Sequence, residues 1–185
     1  MSGSGNAHNL EQADDKLSGK CDSKCTARPA RIFISYRRAE ASWPVRWLTD
    51  WLAGQFGEDV VFLDADSIRP GDDFAAEIEA AVAACAVLLA VIGPQWLVAE
   101  ADAARRVDNP QDWVRLEIET AIGRGVRVIP ILVDGGTMPS ASELPPSLRP
   151  LAGKQAVVLN PASPDTRRLV SVLENALMQE KTGQQ

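Results

Sequence analysis

The sequence is poor in the residues that many catalytic and metal sites use: its 185 residues include three cysteines and one histidine. That histidine, His8, lies in a polar N-terminal stretch, so a Ser-His or Cys-His catalytic pair in the folded region is excluded. Cys21 and Cys25 lie in the same stretch, and without further cysteines or useful histidines they are a weak zinc signal. Cys85 lies in an apolar run and is predicted to be a buried small hydrophobe. We therefore expect no metal site, and a reducing, cytoplasmic setting.

Positive charge and long apolar runs are also limited. Lysine and arginine total 19 against 25 aspartates and glutamates, which gives a formal net charge of −6. No basic cluster with interleaved aromatic residues occurs, so nucleic acid is not an expected partner.

The uncharged stretch 80–99 approaches the length of a membrane span, but Gly93-Pro94-Gln95 interrupts it, and a helix end followed by a buried strand explains it better. Because the N-terminus has no signal-peptide pattern, we expect neither membrane insertion nor export.

The chain length suits one domain, and both ends of the sequence are polar. Residues 1–29 hold only Leu10 and Leu17 as sizeable apolar side chains, which predicts a disordered segment, and residues 179–185 look the same. Between them, residues 30–178 alternate strand and helix patterns. Strands are predicted at 31–36, 60–63, 86–92, 126–133 and 156–159, and helices at 42–56, 73–84, 112–122 and 163–178.

The composition of the central strands predicts the architecture. Strands that are apolar almost throughout are typical of a parallel sheet covered by helices on both faces, and five such units indicate a flavodoxin-like α/β fold. Ser42 is the expected N-cap of the first helix. Pro130 requires a bulge or a partial edge position in the fourth strand, because proline cannot donate to a ladder.

Glu117 is the candidate functional carboxylate. Positions three and four apart share a helix face, so Trp113, Glu117 and Thr120 form one stripe beside an apolar stripe. No charged residue stands at helical spacing from Glu117, whereas Glu119 has Arg115 four residues before it and is predicted to form a surface ion pair. A carboxylate beside a large aromatic residue, at the edge of a buried face, is typical of a functional site. The alternative is an ordinary solvated helix glutamate.

The ends of the predicted strands carry the other candidates, because ligands bind outside the carboxyl ends of strands in open parallel sheets. Arg37 and Arg38 follow the first strand and are either a solvated or helix-contact pair, or partners for phosphate oxygens. Trp96 and Trp113 are candidate stacking platforms for a planar ring; packing is favoured for Trp96 and ligand contact for Trp113. Tyr36 is either a core residue or a ligand contact.

Common nucleotide and phosphate motifs are absent. No Gly-x-Gly-x-x-Gly follows the first strand, which excludes a Rossmann dehydrogenase, and no Gly-x-x-x-x-Gly-Lys occurs, which excludes a P-loop enzyme. A flavodoxin-like phosphate receiver is suggested loosely by Asp64 but is disfavoured, because Arg37 and Arg38 stand where its acidic pair would be.

Four segments occur in a characteristic order: RIFISYRRAE (31–40), FLDADSIRPGDDF (62–74), DWVRLEIETAI (112–122) and VRVIPILVDG (126–135). Together they resemble the TIR domain family (Toll/interleukin-1 receptor type) in its bacterial form, over residues 30–178. The resemblance implies a flavodoxin-like sheet in which the segment 64–71 is the family's BB loop. One branch of the family is a scaffold for signalling complexes, and another cleaves NAD+ between nicotinamide and ribose.

The resemblance to the NAD+-cleaving branch assigns roles to individual residues. Glu117 matches the catalytic glutamate, and Trp113 matches the aromatic residue that often precedes it by four positions. Positions at the strand ends and in the segment 64–71 predict substrate contacts from Tyr36, Arg37, Arg38, Asp64, Arg69, Trp96 and Trp113. Arg69 is either such a contact or a contact to a neighbouring copy. Head-to-tail contacts between copies are expected from the loop residues Ile68, Pro70 and Gly71.

The implied activity is that of an NAD+ glycohydrolase or ADP-ribosyl cyclase in bacterial anti-phage signalling, with NAD+ as substrate and no cofactor. Nicotinamide leaves NAD+ as a neutral molecule, so one carboxylate that stabilises the oxocarbenium-like transition state is sufficient. Expected partners are NAD+, further copies of the chain, and a sensor or effector protein. The alternative is a non-enzymatic TIR adaptor that binds other TIR domains.

Overall fold

A computed structural model describes residues 32–63, 74–98, 104–159 and 166–182. These residues form a five-stranded parallel sheet with helices on both faces, which confirms the predicted flavodoxin-like class. The strands are β1 (Ile32–Ser35), β2 (Val61–Leu63), β3 (Val87–Ile92), β4 (Arg127–Leu132) and β5 (Val157–Val158). The helices are α1 (Arg38–Phe56), α2 (Phe74–Ala83), α3 (Trp113–Gly123), α4 (Arg149–Ala152) and α5 (Thr166–Thr182), and short 3₁₀ turns lie at Glu58–Val60, Arg106–Asp108 and Pro146–Leu148. Within the described ranges, no helix is both long and apolar enough to cross a membrane.

The strand order β2-β1-β3-β4-β5 determines where a ligand can bind. The chain moves to one side of β1 to form β2 and to the other side to form β3. The connections from β1 and β3 therefore diverge, and they leave a crevice at the carboxyl ends of these two strands. The segments that follow β1 and β3 border this crevice.

Two hydrophobic clusters, one on each sheet face, hold the layers together. Alternation along β1 sends Ile32 and Ile34 to the cluster under α1 and α5, and Phe33 to the cluster under α2 and α3. By the same alternation Ser35, at the end of β1, lies on the face that α3 covers. Every residue of β3 is buried, which explains why this strand is apolar throughout. Cys85, two residues before this strand, is buried as predicted.

The first helix starts earlier than the sequence predicts. It begins at Arg38, so Ser42 lies inside the helix, Arg37 occupies the N-cap position without a side-chain cap bond, and Pro44 is an interior residue. An interior proline removes one helix hydrogen bond. Packing of the apolar face of α1 on the sheet offsets this loss, and for that reason the serine-before-proline pattern is misleading here.

The structure bears on the predicted disordered segment at the C-terminal end but not on the one at the N-terminal end. Helix α5 continues to Thr182, so the predicted start of a disordered tail at residue 179 is too early. The prediction for residues 1–29 concerns residues outside the described ranges.

Pro130 lies in a part of β4 that is an edge of the sheet, which is one of the two predicted arrangements. The N–H of Val133 donates to the carbonyl of Ile92 on the β3 side, whereas the carbonyl of Leu132 accepts from Leu159 on the β5 side. Because backbone groups alternate sides along a strand, the nitrogen of Pro130 faces β5. In the described chain β5 pairs only with residues 131 and 132, so the missing N–H removes no ladder bond.

Candidate active site

The buried polar side chains of the described chain are concentrated in one place. They are Ser35, Arg37, Asp112 and Glu117, and all four lie at the carboxyl end of β1 or in the N-terminal half of α3, including its N-cap. Burial of polar and charged groups is unfavourable unless other groups compensate for it. Their concentration beside the crevice therefore marks this edge of the sheet as the candidate site.

Glu117 lies in the second turn of α3 and has 0% of its surface exposed. It shares the buried side of the helix with Val114, Ile118 and Ala121, which pack into the core. The alternative of a solvated helix glutamate is therefore wrong. The structure places this carboxylate on the side of α3 that faces the sheet, away from water, where a charge acts strongly at short range.

Arg37 and Asp112 form a bidentate ion pair between the end of β1 and the start of α3. Nη1 of Arg37 donates to Oδ2 of Asp112 at 2.7 Å, and Nη2 donates to Oδ1 at 3.0 Å. The two side chains are only 2% and 5% exposed. Asp112 is also the N-cap of α3, because its Oδ1 accepts a hydrogen bond from the backbone N–H of Arg115 at 3.0 Å. One carboxylate thus joins the end of β1 to the start of α3.

Two further residues surround this pair. The guanidinium carbon of Arg37 lies 5.8 Å from the ring centroid of Trp96, a cation–π contact. Trp96 is buried in the core cluster, in agreement with the packing role favoured for it. Arg106 lies on the solvent side, with its Nε 3.8 Å from Oδ2 of Asp112. Three parts of the chain therefore meet at the guanidinium of Arg37: the segment after β1, the segment after β3 and the residues before α3.

The other predicted contact residues take separate positions. Arg38 is exposed at the first position of α1, so the tandem arginines split into one buried and one exposed side chain. Trp113 begins α3 and is 49% exposed. Tyr36 is half-buried and packs against the cluster beneath α1 and α5, the opposite face from α3. The predicted site residues of the segment 64–71 lie outside the described residues: Asp64, Ile68, Arg69, Pro70 and Gly71.

The outer side of α3 is fixed by a second set of polar contacts. Arg115 Nε donates to Glu119 Oε1 at 2.6 Å, which confirms the predicted ion pair. Nη1 of Arg115 also donates to the carbonyl of Asp108 at 2.9 Å, and the hydroxyl of Ser147 donates to Glu119. These bonds tie the helix to the two neighbouring 3₁₀ turns.

The segment before α3 is fastened at the surface as well. Arg105 donates to Asp108 at 2.7 Å and to the backbone carbonyl of Glu143 at 2.9 Å. The hydrogen bond to Asp108 is the main reason why the pKa of Arg105 is raised. The hydroxyl and backbone N–H of Ser140 donate to Glu143 and lower the pKa of that carboxyl group.

Sequence reasoning missed three contributors to the site: Ser35, Arg106 and the paired role of Asp112. Asp112 precedes a helical pattern, which is an N-cap signal, but its partner Arg37 is 75 residues away and no local spacing indicates the pair. Within the described chain, Ser35 Oγ and Trp96 Nε1 are buried without a hydrogen-bond partner. Such groups are uncommon in native proteins and are often found where function requires them.

The described ranges contain no group of three or more His, Cys, Asp and Glu side chains that could hold a metal ion. Cys21 and Cys25 lie outside those ranges.

Comparison with known proteins assigns the fold to a family. A family model described as TIR domain matches residues 32–173. The chain belongs to the TIR domain family. The resemblance drawn from the four sequence segments is thereby confirmed at the level of the family. No curated protein matches this TIR domain.

Solved structures agree with the family at the level of the fold. The TIR domains of the activated Roq1 resistosome, which directly recognises the pathogen effector XopQ, superpose with a TM-score of 0.55 at 12% identity, over 79% of this chain and 98% of that one. A metazoan TIR-STING receptor from C. gigas, in complex with 2',3'-cGAMP, gives 0.53 at 17% identity over 80% of this chain. This TIR domain spans 40% of the receptor chain. At these identities the likeness shows the fold alone.

Proposed function

We propose that this TIR domain is an NAD+ glycohydrolase or ADP-ribosyl cyclase with Glu117 as its catalytic carboxylate. The observation that supports the proposal most is the position of the buried charges. Glu117 and the Arg37–Asp112 pair stand at the crevice between β1 and β3, where the topology of the sheet favours ligand binding. The sequence resemblance to the NAD+-cleaving branch, through Trp113 and Glu117, supports it independently.

One buried carboxylate suits the chemistry of NAD+. The bond between the ribose and the pyridinium nitrogen breaks with both electrons going to the nitrogen, so nicotinamide leaves neutral and needs no proton. Positive charge develops on the ribose, and an anionic Glu117 stabilises it by charge and by accepting hydrogen bonds from ribose hydroxyls. Attack by water then gives ADP-ribose, and attack by an adenine nitrogen gives a cyclic product; each attack releases one proton to the solvent.

The burial of Glu117 adds a requirement for motion. Its side chain has no exposed surface in this structure, so NAD+ reaches it only when a covering segment moves. Closure of loops over bound substrate is a common way to exclude water from a reacting centre. In the proposal the exposed Arg38 binds the pyrophosphate, because a guanidinium fork fits phosphate oxygens.

Nicotinamide release from NAD+ by the purified full chain tests the proposal. We expect release at high protein concentration, with ADP-ribose or its cyclic form identified by mass as the second product. No release at any protein concentration would contradict the proposal and would favour the alternative, a non-enzymatic adaptor. The proposed setting is the cytoplasm, where loss of NAD+ or a cyclic product would act in anti-phage signalling.

Replacement of Trp113 by alanine should weaken substrate binding. The ring is half-exposed beside the site, and loss of an aromatic stacking contact of about 1 kcal/mol should raise KM about fivefold while kcat changes less. Steady-state kinetics of nicotinamide release measure both constants. Trp43→Ala is the matched control, because Trp43 is 60% exposed on α1, and its KM should equal that of the wild type. An unchanged KM in Trp113→Ala would contradict the proposed stacking role.

We also propose that activity depends on self-association through residues 64–71, as the resemblance implies and as the assembled state of the Roq1 TIR domains supports. A loop that docks on the next copy makes a head-to-tail contact, which extends into an open assembly. The rate per molecule should therefore rise with protein concentration. Arg69→Glu should abolish this rise, whereas reversing the charge of the exposed Lys154 should preserve it. A rate per molecule that is independent of concentration would refute the dependence.

A further inference from the structure

We propose that Arg37 and Asp112 form a positioning clamp that sets the placement of Glu117, and that Arg37 is not a substrate ligand. The inference rests on the proposed function, because it assigns these residues a part in the same reaction. It also revises the sequence-based expectation that both tandem arginines contact NAD+.

The clamp joins parts of the chain that are distant in sequence. Arg37 is the second residue after β1, and Asp112 is the residue before α3. The two hydrogen bonds of 2.7 and 3.0 Å fix both distance and orientation, because a guanidinium and a carboxylate pair in one plane. Trp96, from the segment after β3, covers a face of the guanidinium. The clamp therefore relates the start of α3 to both strands that border the crevice.

Fixing Asp112 also fixes Glu117. The two residues are five positions apart, and a helix rises 1.5 Å per residue, so the cap lies only about 7.5 Å along the axis from the backbone of Glu117. A helix is stiff over this length, and a displacement or rotation at the cap is carried to Glu117. A misplacement of about 1 Å in an active site can reduce the rate about 100-fold.

Arg37 is poorly suited to binding phosphate directly. Both of its terminal nitrogens bond to Asp112, and its side chain is almost fully buried. A phosphate would have to displace a bidentate carboxylate in a buried setting, and would leave that carboxylate without its partner. Arg38, the next residue, is exposed. The proposal therefore assigns positioning to the buried Arg37 and ligand binding to the exposed Arg38.

Three variants test the clamp by separating kcat, KM and folding. Arg37→Lys keeps the positive charge but loses the planar fork. Asp112→Asn keeps a good N-cap but loses the negative charge. The double variant Arg37→Met/Asp112→Asn removes both charges of the pair, so neither is left without its partner and thermal stability should recover relative to the less stable single variant. All three should lower kcat about 100-fold and keep KM within about threefold of the wild type.

Arg38→Lys and Arg124→Lys are the matched arginine variants. Arg38→Lys should raise KM, since Arg38 is the proposed pyrophosphate ligand. Arg124 forms a surface pair with Glu79 after the far end of α3, and its replacement should change neither constant. A raised KM with unchanged kcat in Arg37→Lys would overturn the clamp in favour of direct binding. If the double variant regained both kcat and thermal stability, the pair would have only a structural role, and the clamp would again be overturned.

Hydrogen exchange decides the clamp without reference to activity. The amides of residues 115–118 should exchange at least about tenfold faster in Arg37→Lys than in the wild type, because the first turns of α3 lose their anchor. Unchanged exchange would overturn the clamp. If the wild type releases no nicotinamide, the proposed function fails, and faster exchange would still support the clamp as the element that orders α3.

Discussion

Glu117→Gln is expected to reduce the rate of nicotinamide release about 100- to 1,000-fold. The amide keeps the shape of the side chain but removes the negative charge that stabilises the ribose cation. Electrostatic groups of this kind contribute up to about 4 kcal/mol to the transition state, and each 1.4 kcal/mol is a factor of ten in rate. Because the substrate is bound largely by other groups, the loss should fall on kcat. Single-turnover assays at saturating NAD+ measure it.

Glu119→Gln provides the control on the same helix. Glu119 lies two residues further on, on the outer side of α3, where it pairs with Arg115 and Ser147. Its replacement removes one carboxylate from the protein without touching the crevice, so the rate should stay within a factor of two or so of the wild type. Equal rates for Glu117→Gln and the wild type, with both proteins folded, would refute the catalytic role of Glu117.

Gly136→Ala is expected to lower the free energy of unfolding by about 1–3 kcal/mol. A methyl group at this position would lie 2.3 Å from the backbone oxygen of Ile92 and 3.0 Å from the carbonyl carbon of Gly93. Both obstacles are backbone atoms at the carboxyl end of β3, so no side chain can rotate away. Either β3 or the turn after β4 must move. Urea denaturation measures the loss.

The control for this glycine is Gly54. It lies inside α1 with nothing within 4 Å of an added methyl group, and its φ is not positive. Gly54→Ala should therefore stabilise the protein by about 0.5–1 kcal/mol, because alanine loses less backbone entropy than glycine in a helix. If Gly136→Ala proved as stable as the wild type, the turn after β4 would not lie as close to β3 as the structure indicates.

The class of fold could be predicted from the sequence because it depends on local patterns. The apolar runs at 86–92 and 128–133 reflect burial on both faces, and that burial is what a central parallel strand experiences. Boundaries were less predictable where packing competes with local signals. Helix α1 includes Pro44 and begins before Ser42, since tertiary contacts of its apolar face outweigh one lost hydrogen bond.

The site could be predicted only in part, for a related reason. Glu117 was identifiable from helical spacing, but its complete burial depends on how α3 packs against the sheet. The contact between Arg37 and Asp112 joins residues 75 positions apart, and it becomes visible only once β1 and α3 are brought together. The sequence predicts the same role for the adjacent Arg37 and Arg38, whereas the structure shows that Arg37 is buried and Arg38 is exposed.

The buried charges of the site also imply a trade-off between stability and activity. Removing one member of a buried ion pair leaves the other uncompensated, and this usually costs about 3–5 kcal/mol. Replacing both members by apolar side chains is often neutral or stabilising. The burial of Arg37, Asp112 and Glu117 is therefore easier to explain by the proposed reaction than by stability.

A crystal structure with a non-cleavable NAD+ analogue is the most direct test of the proposed chemistry. We predict that a carboxylate oxygen of Glu117 lies about 3.5 Å from the ribose carbon that bears nicotinamide, with Arg37 still bound to Asp112. An analogue bound elsewhere on the domain, or in the crevice with Glu117 directed away from the ribose, would contradict the account.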